Sequence, residues 1–364
     1  MSYVRSTRIF KLWEKYEHHL GLGAVFMGFA FDFFMAQRPD TLANNLLLIS
    51  YLFITATIIV LLNVRARKLG DTEPLLLLLI LQFCFGGLAS NLLILYGRSG
   101  TLAGSAVFIG LLVALVFSNE YLRNKYAQLR LNIGIFYVLL LSYLVIAVPT
   151  FLTHAIGTKT FLLSVLLSLV IMVPFFIALH FAVARGVREG HLLWEARLIV
   201  ACVAIFFSGL YFLQIIPPVP LSLKSIGVYH SVLKQGDSSY SATHEAPAWF
   251  VFWRDTAATF TVVRTGETVY CFSSVFAPAE LRTPVYHRFE YKNPITNEWS
   301  TQGRVSFDIS GGRDEGYRGF SIKTNITAGD WRCDVETASG ALIGRISFTV
   351  VQTSTAPTLS QAVL

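Results

Sequence analysis

The chain has 364 residues, of which 54% are hydrophobic and only 14% charged, with a mean hydropathy of +0.57. Soluble globular chains carry about 25% charged residues, so this composition argues for a membrane domain. The formal charge of +7 divides as 16 Lys+Arg against 9 Asp+Glu over residues 1–216 and 13 against 13 over 217–364. The excess therefore belongs to membrane loops, and binding to nucleic acid is excluded as the main role.

Taken in chain order, "VRSTRIFKLWEKYEHHL" places Phe10, Trp13, Tyr16 and Leu20 three or four residues apart. Residues 1–19 read as an amphipathic helix on the inner leaflet. The neighbouring Glu14, Glu17, His18 and His19 read as a solvated face, not a metal site. A transmembrane region is predicted over 20–216. It has seven spans at 20–36, 42–64, 74–96, 102–119, 131–149, 161–182 and 198–216, most above the ~17 residues that cross a bilayer. The first reads as a signal anchor, since no small-residue cleavage site follows it.

Charge asymmetry predicts the orientation. The N-terminus and the loops around Arg65, Arg123 and Arg185 carry 13 basic residues, and the opposite loops carry only Arg38, Arg98 and Lys159. By the positive-inside rule the N-terminus is cytoplasmic and the C-terminal region periplasmic, in a bacterial inner membrane. Asp32, Asn44, Asn45, Asn91, Ser105 and Gln214 map near the outer ends of their helices. They read either as a polar cluster lining an outward cavity or as interhelical and headgroup-level hydrogen bonds. Pro174 predicts a kink in the sixth span.

"IIPPVPLSLK" ends the last span, and 217–248 reads as a proline-bearing linker. A β-domain is expected over 249–352, with strands at 258–263, 267–276, 284–292, 303–309, 317–324, 330–337 and 341–351, and a tail over 353–364. Seven short strands in about a hundred residues predict an immunoglobulin-like sandwich. Val305, Phe307 and Ile309 alternate with Arg304, Ser306 and Asp308, and Trp331, Cys333 and Val335 alternate with Arg332, Asp334 and Glu336. Ala338-Ser339-Gly340 marks a hairpin turn. Cys271 and Cys333 both point inward on this reading, as a disulfide or as two buried thiols.

"PVYHRFEYK", "GGRDEGYRGFSIKTN", "GDWRCDVET" and "GALIGRISFTV" resemble the C-terminal module of a bacterial membrane-protein family of unknown function, over residues 265–351. The multi-span region and its "PPVPLSLK" exit also resemble that family. The resemblance implies the helical and β architecture and no activity. It implies tryptophan at position 289, where this chain has phenylalanine.

"GGRDEGYRGF" leads into alternating β residues and not into a helix, so it is not a phosphate cradle. His287, Arg304, Arg313, Tyr317, Arg318, Lys323 and Arg332 are the ligand-binding candidates, a basic and aromatic cluster suited to an anion. The competing reading pairs them with Asp308, Asp314, Glu315, Asp334 and Glu336. No histidine has a ligand spacing, and no nucleophile has a positioned base, so neither metal, cofactor nor catalytic residue is expected. The expected role is non-catalytic: a periplasmic domain binding a partner protein, envelope glycan or lipid headgroup, on a lipid-embedded anchor or relay. The alternatives are a transporter or lipid-modifying enzyme using Asp32, Asn45 and Asn91, and an accessory subunit of a larger membrane complex.

Overall fold

Runs of apolar residues that cannot leave backbone groups unpaired in lipid fold as helices, and six are found among the described residues. The computed structural model describes residues 38–69, 75–100, 106–114, 129–182, 187–235, 239–247, 251, 254–264, 266–313 and 315–364. The helices are α1 (Leu42–Leu69), α2 (Leu75–Arg98), α3 (106–114), α4 (Leu129–Val148), α5 (Thr158–Ala182) and α6 (Val187–Phe212). All but α3 are long and apolar enough to cross a membrane. The expected first span, the amphipathic segment 1–19, Asp32 and Ser105 lie outside the described residues. The expected fourth span is described only over 106–114.

Helix α4 is the central member of the bundle. About 83% of its span is buried, against 28% for α1, α5 and α6. Its polar groups explain the position, because hydroxyls and amides in lipid seek neighbouring helices. Tyr137 Oη and Ser168 Oγ lie 3.0 Å apart, Tyr143 Oη donates to Asn45 Oδ1 at 3.2 Å, and Tyr96 Oη of α2 donates to Ser142 O at 2.8 Å. Helix α5 runs continuously past Pro174. Phe53, Leu166, Val173 and Ile205 stay exposed on α1, α5 and α6, as residues facing acyl chains would be.

The remainder is β-rich: β1 (Ser222–Tyr229), β2 (Ser231–Gln235), β3 (Ser239–His244), β4 (Thr259–Val262), β5 (Val269–Phe276), β6 (Arg282–Lys292), β7 (Trp299–Ser310), β8 (Tyr317–Lys323), β9 (Gly329–Thr337), β10 (Leu342–Gln352) and β11 (Ser360–Val363). Strands β4 to β10 lie at the seven expected positions. The stretch 217–248 is not a linker, because it holds β1, β2 and β3, and β1 pairs with β5. The tail also differs from expectation: β11 pairs with β3. These four strands are short and rich in serine, so they lack the apolar alternation that marks a buried strand.

The sheets run β1-β5-β8, β4-β10-β9-β6-β7 and β11-β3-β2. Inner faces of the first two share one apolar core, in which Val269 and Cys271 of β5 meet Phe289 of β6, Trp331 and Cys333 of β9, and Ile346, Phe348 and Val350 of β10. The Trp331 indole N–H is satisfied by Thr327 O at 2.8 Å. Pro149–Gly157, which joins α4 to α5, belongs to this β unit. Arg282 N donates to His154 O at 3.3 Å, and His154 Nε2 lies 3.4 Å from Glu280.

The glycines of "GGRDEG" serve the chain path. A Cβ at Gly311 would meet the Pro278 carbonyl oxygen at 1.6 Å, and Gly312 has φ +92°. Gly311→Ala is expected to destabilise the β-domain by about 2 kcal/mol or more, since backbone cannot yield as a side chain does. Thermal unfolding of the full chain, followed by β-sheet circular dichroism, checks this. An unshifted transition would contradict the close approach.

Candidate functional site

Residues that alternate along a strand reach the same face, so cross-strand register decides which charges meet. On the outer face of the five-stranded sheet, Arg304 of β7 lies opposite Arg288 of β6, Arg288 opposite Asp334 of β9, and Asp334 opposite Arg345 of β10. In the flanking rows, Tyr286 lies opposite Glu336, and Glu290 opposite Arg332. Two like charges, Arg304 and Arg288, are tolerated side by side because the carboxylates sit next to them and on the diagonals.

The three carboxylates are covered and the arginines roof them. Asp334 is fully buried, and Glu336 and Glu290 are nearly so. Arg345 grips Asp334 with two bonds of 2.6 Å, while Arg288 Nη2 reaches the same carboxylate at 3.0 Å. Arg304 Nε bonds Glu336 at 2.7 Å, and Arg332 Nε bonds Glu290. The forked Arg345–Asp334 pair and the single charge-assisted bonds beside it are more persistent than exposed ion pairs, whose median worth is about 0–1 kcal/mol. Burial works against the Arg288 charge, but the bond to Asp334 and the charges of Glu336 and Glu290 outweigh it and raise its pKa. The bond to Asp334 likewise raises that of Arg345.

Two of these arginines are backed by aromatic rings. The Arg304 guanidinium lies 4.0 Å from the Tyr286 ring centroid and the Arg332 guanidinium 4.2 Å from that of Trp299. Stacking and carboxylate together fix each guanidinium, which leaves a preorganised cationic surface in a net +1 cluster of four arginines and three acids.

The seven-residue cluster expected from sequence does not converge. Arg304 and Arg332 belong to the face just described. Arg318 and Lys323 lie on β8, in the other sheet, and Arg313 sits 5.4 Å over the Tyr317 ring beside that strand. His287 is not on a surface at all. It is fully buried between the sheets, because it shares its face of β6 with Val285 and Phe289. Ser273 Oγ lies 2.7 Å from its Nε2 and Ser321 Oγ 2.8 Å from its Nδ1. Burial lowers its pKa from the ordinary 6.5 to about 3, so the ring is neutral and offers nothing to a surface anion.

Arg288, Glu290 and Arg345, with Tyr286 and Trp299, were not among the candidates. Trp299 lies before the strand expected at 303–309, and the partners of the others depend on a register set by four strands at once. Cys271 and Cys333 form a disulfide across the core, with Cα atoms 6.6 Å apart. Of the polar residues in the apolar helices, Asn44 and Asn91 come together. Asn91 Nδ2 donates to Asn44 Oδ1 at 2.9 Å, and Asn45 is held by Tyr143 and Pro39 O. Gln214 belongs with the β unit, where its side chain donates to Ser339 O at 2.6 Å.

A family model described as "Protein of unknown function (DUF2914)" matches residues 282–350. That range runs from β6 into β10 and contains the whole arginine–carboxylate face. No curated protein matches the chain. Among solved structures, a Pseudomonas fluorescens alkylpurine DNA glycosylase AlkC bound to DNA containing an abasic site analog is 10% identical, over 83% of this chain and 98% of that one, with a TM-score of 0.23. A likeness at that level carries no argument about fold or function. The C-terminal β-rich part of this chain thus carries a DUF2914 domain, a domain of unknown function.

Proposed function

We propose that the chain is a non-catalytic bacterial inner-membrane protein whose periplasmic β-domain binds an anionic ligand, through the outer face of its five-stranded sheet. The observation that carries this reading is the pair of aromatic-backed guanidiniums, Arg304 on Tyr286 and Arg332 on Trp299, held in place by buried carboxylates. Because the arginines are ordered before any ligand arrives, little side-chain entropy is lost on binding.

The seven-span topology with a cytoplasmic N-terminus is supported by 13 basic residues on one set of loops against three on the other. It is supported again by Pro149–Gly157, a loop expected outside, which belongs to the β unit. An immunoglobulin-like sandwich is supported by the strand order. The β4–β10 pair is parallel and continues through β9, β6 and β7, as in an A′-G-F-C-C′ sheet, with β1-β5-β8 opposite. The disulfide then joins the strands equivalent to B and F, and Phe289 occupies the C-strand position where that fold places an aromatic ring against it.

The test is calorimetric titration of the full chain, in nanodiscs of zwitterionic lipid, with inorganic pyrophosphate and separately with an oligogalacturonate. At least one probe is expected to bind, more weakly as salt rises. Arg304→Gln is expected to weaken it about tenfold, the size of one charged hydrogen bond. That variant should remain folded, since Glu336 keeps Arg288 at 3.3 Å. Absence of binding by both probes, or binding untouched by Arg304→Gln and lost in Arg318→Gln, would sink the proposal. Preference for pyrophosphate points to lipid headgroups, and preference for the carboxylate oligomer points to an acidic glycan.

A further inference from the structure

The core holds a polar island that the binding face does not use. Cys271 on β5, Cys333 on β9 and His287 on β6 bring two sulfurs and an imidazole nitrogen within 4.8 Å of one another. Register explains the convergence. Cys271 lies opposite Ser321 on β8, and Phe289, two residues along from His287, lies opposite Cys333. Ser273 and Ser321 flank the imidazole, and the Phe307 ring meets it edge-on at 4.8 Å. A disulfide alone requires neither a buried histidine nor two serines to satisfy it.

We propose that, when the Cys271–Cys333 disulfide is reduced, Cys271, Cys333 and His287 bind a zinc ion. Three properties of the island support this. A zinc ion with two thiolates and a neutral imidazole has no net charge, so an apolar core can hold it without a counter-ion. Zinc–thiolate bonds of about 2.3 Å place two sulfurs about 3.8 Å apart, which side-chain rotation allows at the Cα separation of 6.6 Å. One imidazole nitrogen turns from its serine to the ion, while the other donates its N–H to the remaining serine oxygen, as zinc-bound histidines do to an acceptor behind them. The displaced serine hydroxyl is the fourth ligand.

The chemistry balances in two steps. A dithiol reductant gives two electrons and two protons to the disulfide, closes to its own disulfide, and leaves two thiols in the core. Zinc then replaces the two thiol protons, which pass to solvent, and the imidazole adds as a neutral donor.

Cell-free synthesis of the full chain into nanodiscs under reducing conditions keeps both thiols free, and cobalt(II) reports the site by its colour. One cobalt per chain is expected, with thiolate charge-transfer and tetrahedral d–d bands, and the oxidised chain should show neither. Ser273→Ala or Ser321→Ala, whichever removes the serine behind the ring, is expected to weaken binding about 10-fold or more. In the unmodified chain, zinc should slow iodoacetamide alkylation of both Cys271 and Cys333, read by mass spectrometry. A reduced chain that binds no cobalt overturns the proposal. So do alkylation rates that zinc leaves unchanged, or equal cobalt binding by the oxidised chain or by His287→Gln.

Discussion

Replacing Cys271 and Cys333 together by alanine, in metal-free oxidising buffer, is expected to lower the stability of the β-domain by about 4 kcal/mol. The bond closes a loop of 62 residues between β5 and β9. Opening it returns that loop's conformational freedom to the unfolded chain. Both cysteines are fully buried, in the cluster that includes Phe289 and Trp331, so the native packing survives with two small voids. Hydrogen exchange of peptides from β5 and β9 in the full chain measures the change directly, because these strands exchange only when the domain opens. Protection of β5 and β9 unaltered by the double substitution would mean that the bond constrains nothing that unfolding releases.

Acidification from pH 7 to 5 is expected to take about 2 kcal/mol from the same domain through His287 alone. Burial holds its pKa at about 3, against 6.5 for an exposed histidine. Below pH 6.5 the unfolded chain takes up a proton that the folded chain refuses. The stability is therefore complete above pH 6.5 and is lost as the pH falls towards 3. His287→Gln retains a donor and an acceptor for Ser273 and Ser321 but has no proton to bind. Urea unfolding at the two pH values, compared between the two proteins, isolates the histidine from the carboxylates that titrate in both. Equal losses in the two would show that His287 is not held neutral in the fold.

Much of the architecture was legible without coordinates. Five spans and seven strands stand out because each depends on a local property: a run of apolar residues about as long as the bilayer is thick, or an apolar residue at every second position. The inward parity of Cys271 and Cys333 followed from the same alternation. The same alternation, Val285-His287-Phe289, runs through β6 and places His287 inward, where its chemistry alone had suggested an anion-binding surface. Strands β1, β2, β3 and β11 escaped notice for the converse reason: Ser222, Ser225, Ser231, Ser239, Ser241 and Ser360 leave little apolar signal.

The arginine–carboxylate face shows where local reading stops. Arg332, Asp334 and Glu336 could be assigned to one side of β9 from their spacing. That Asp334 meets Arg288 and Arg345, that Glu336 meets Arg304, and that Glu290 meets Arg332 depends on the order β10-β9-β6-β7 and its register. The sequence by itself thus determined five helices long and apolar enough to cross a membrane, seven of the eleven described strands, and the outward side of β9, since burial of apolar surface is patterned along the chain. Only the tertiary structure decided which charges neutralise one another and which thiols and imidazole share a site. Those contacts join residues up to 62 positions apart, and the pairing of strands, not the pattern within any one of them, brings them together.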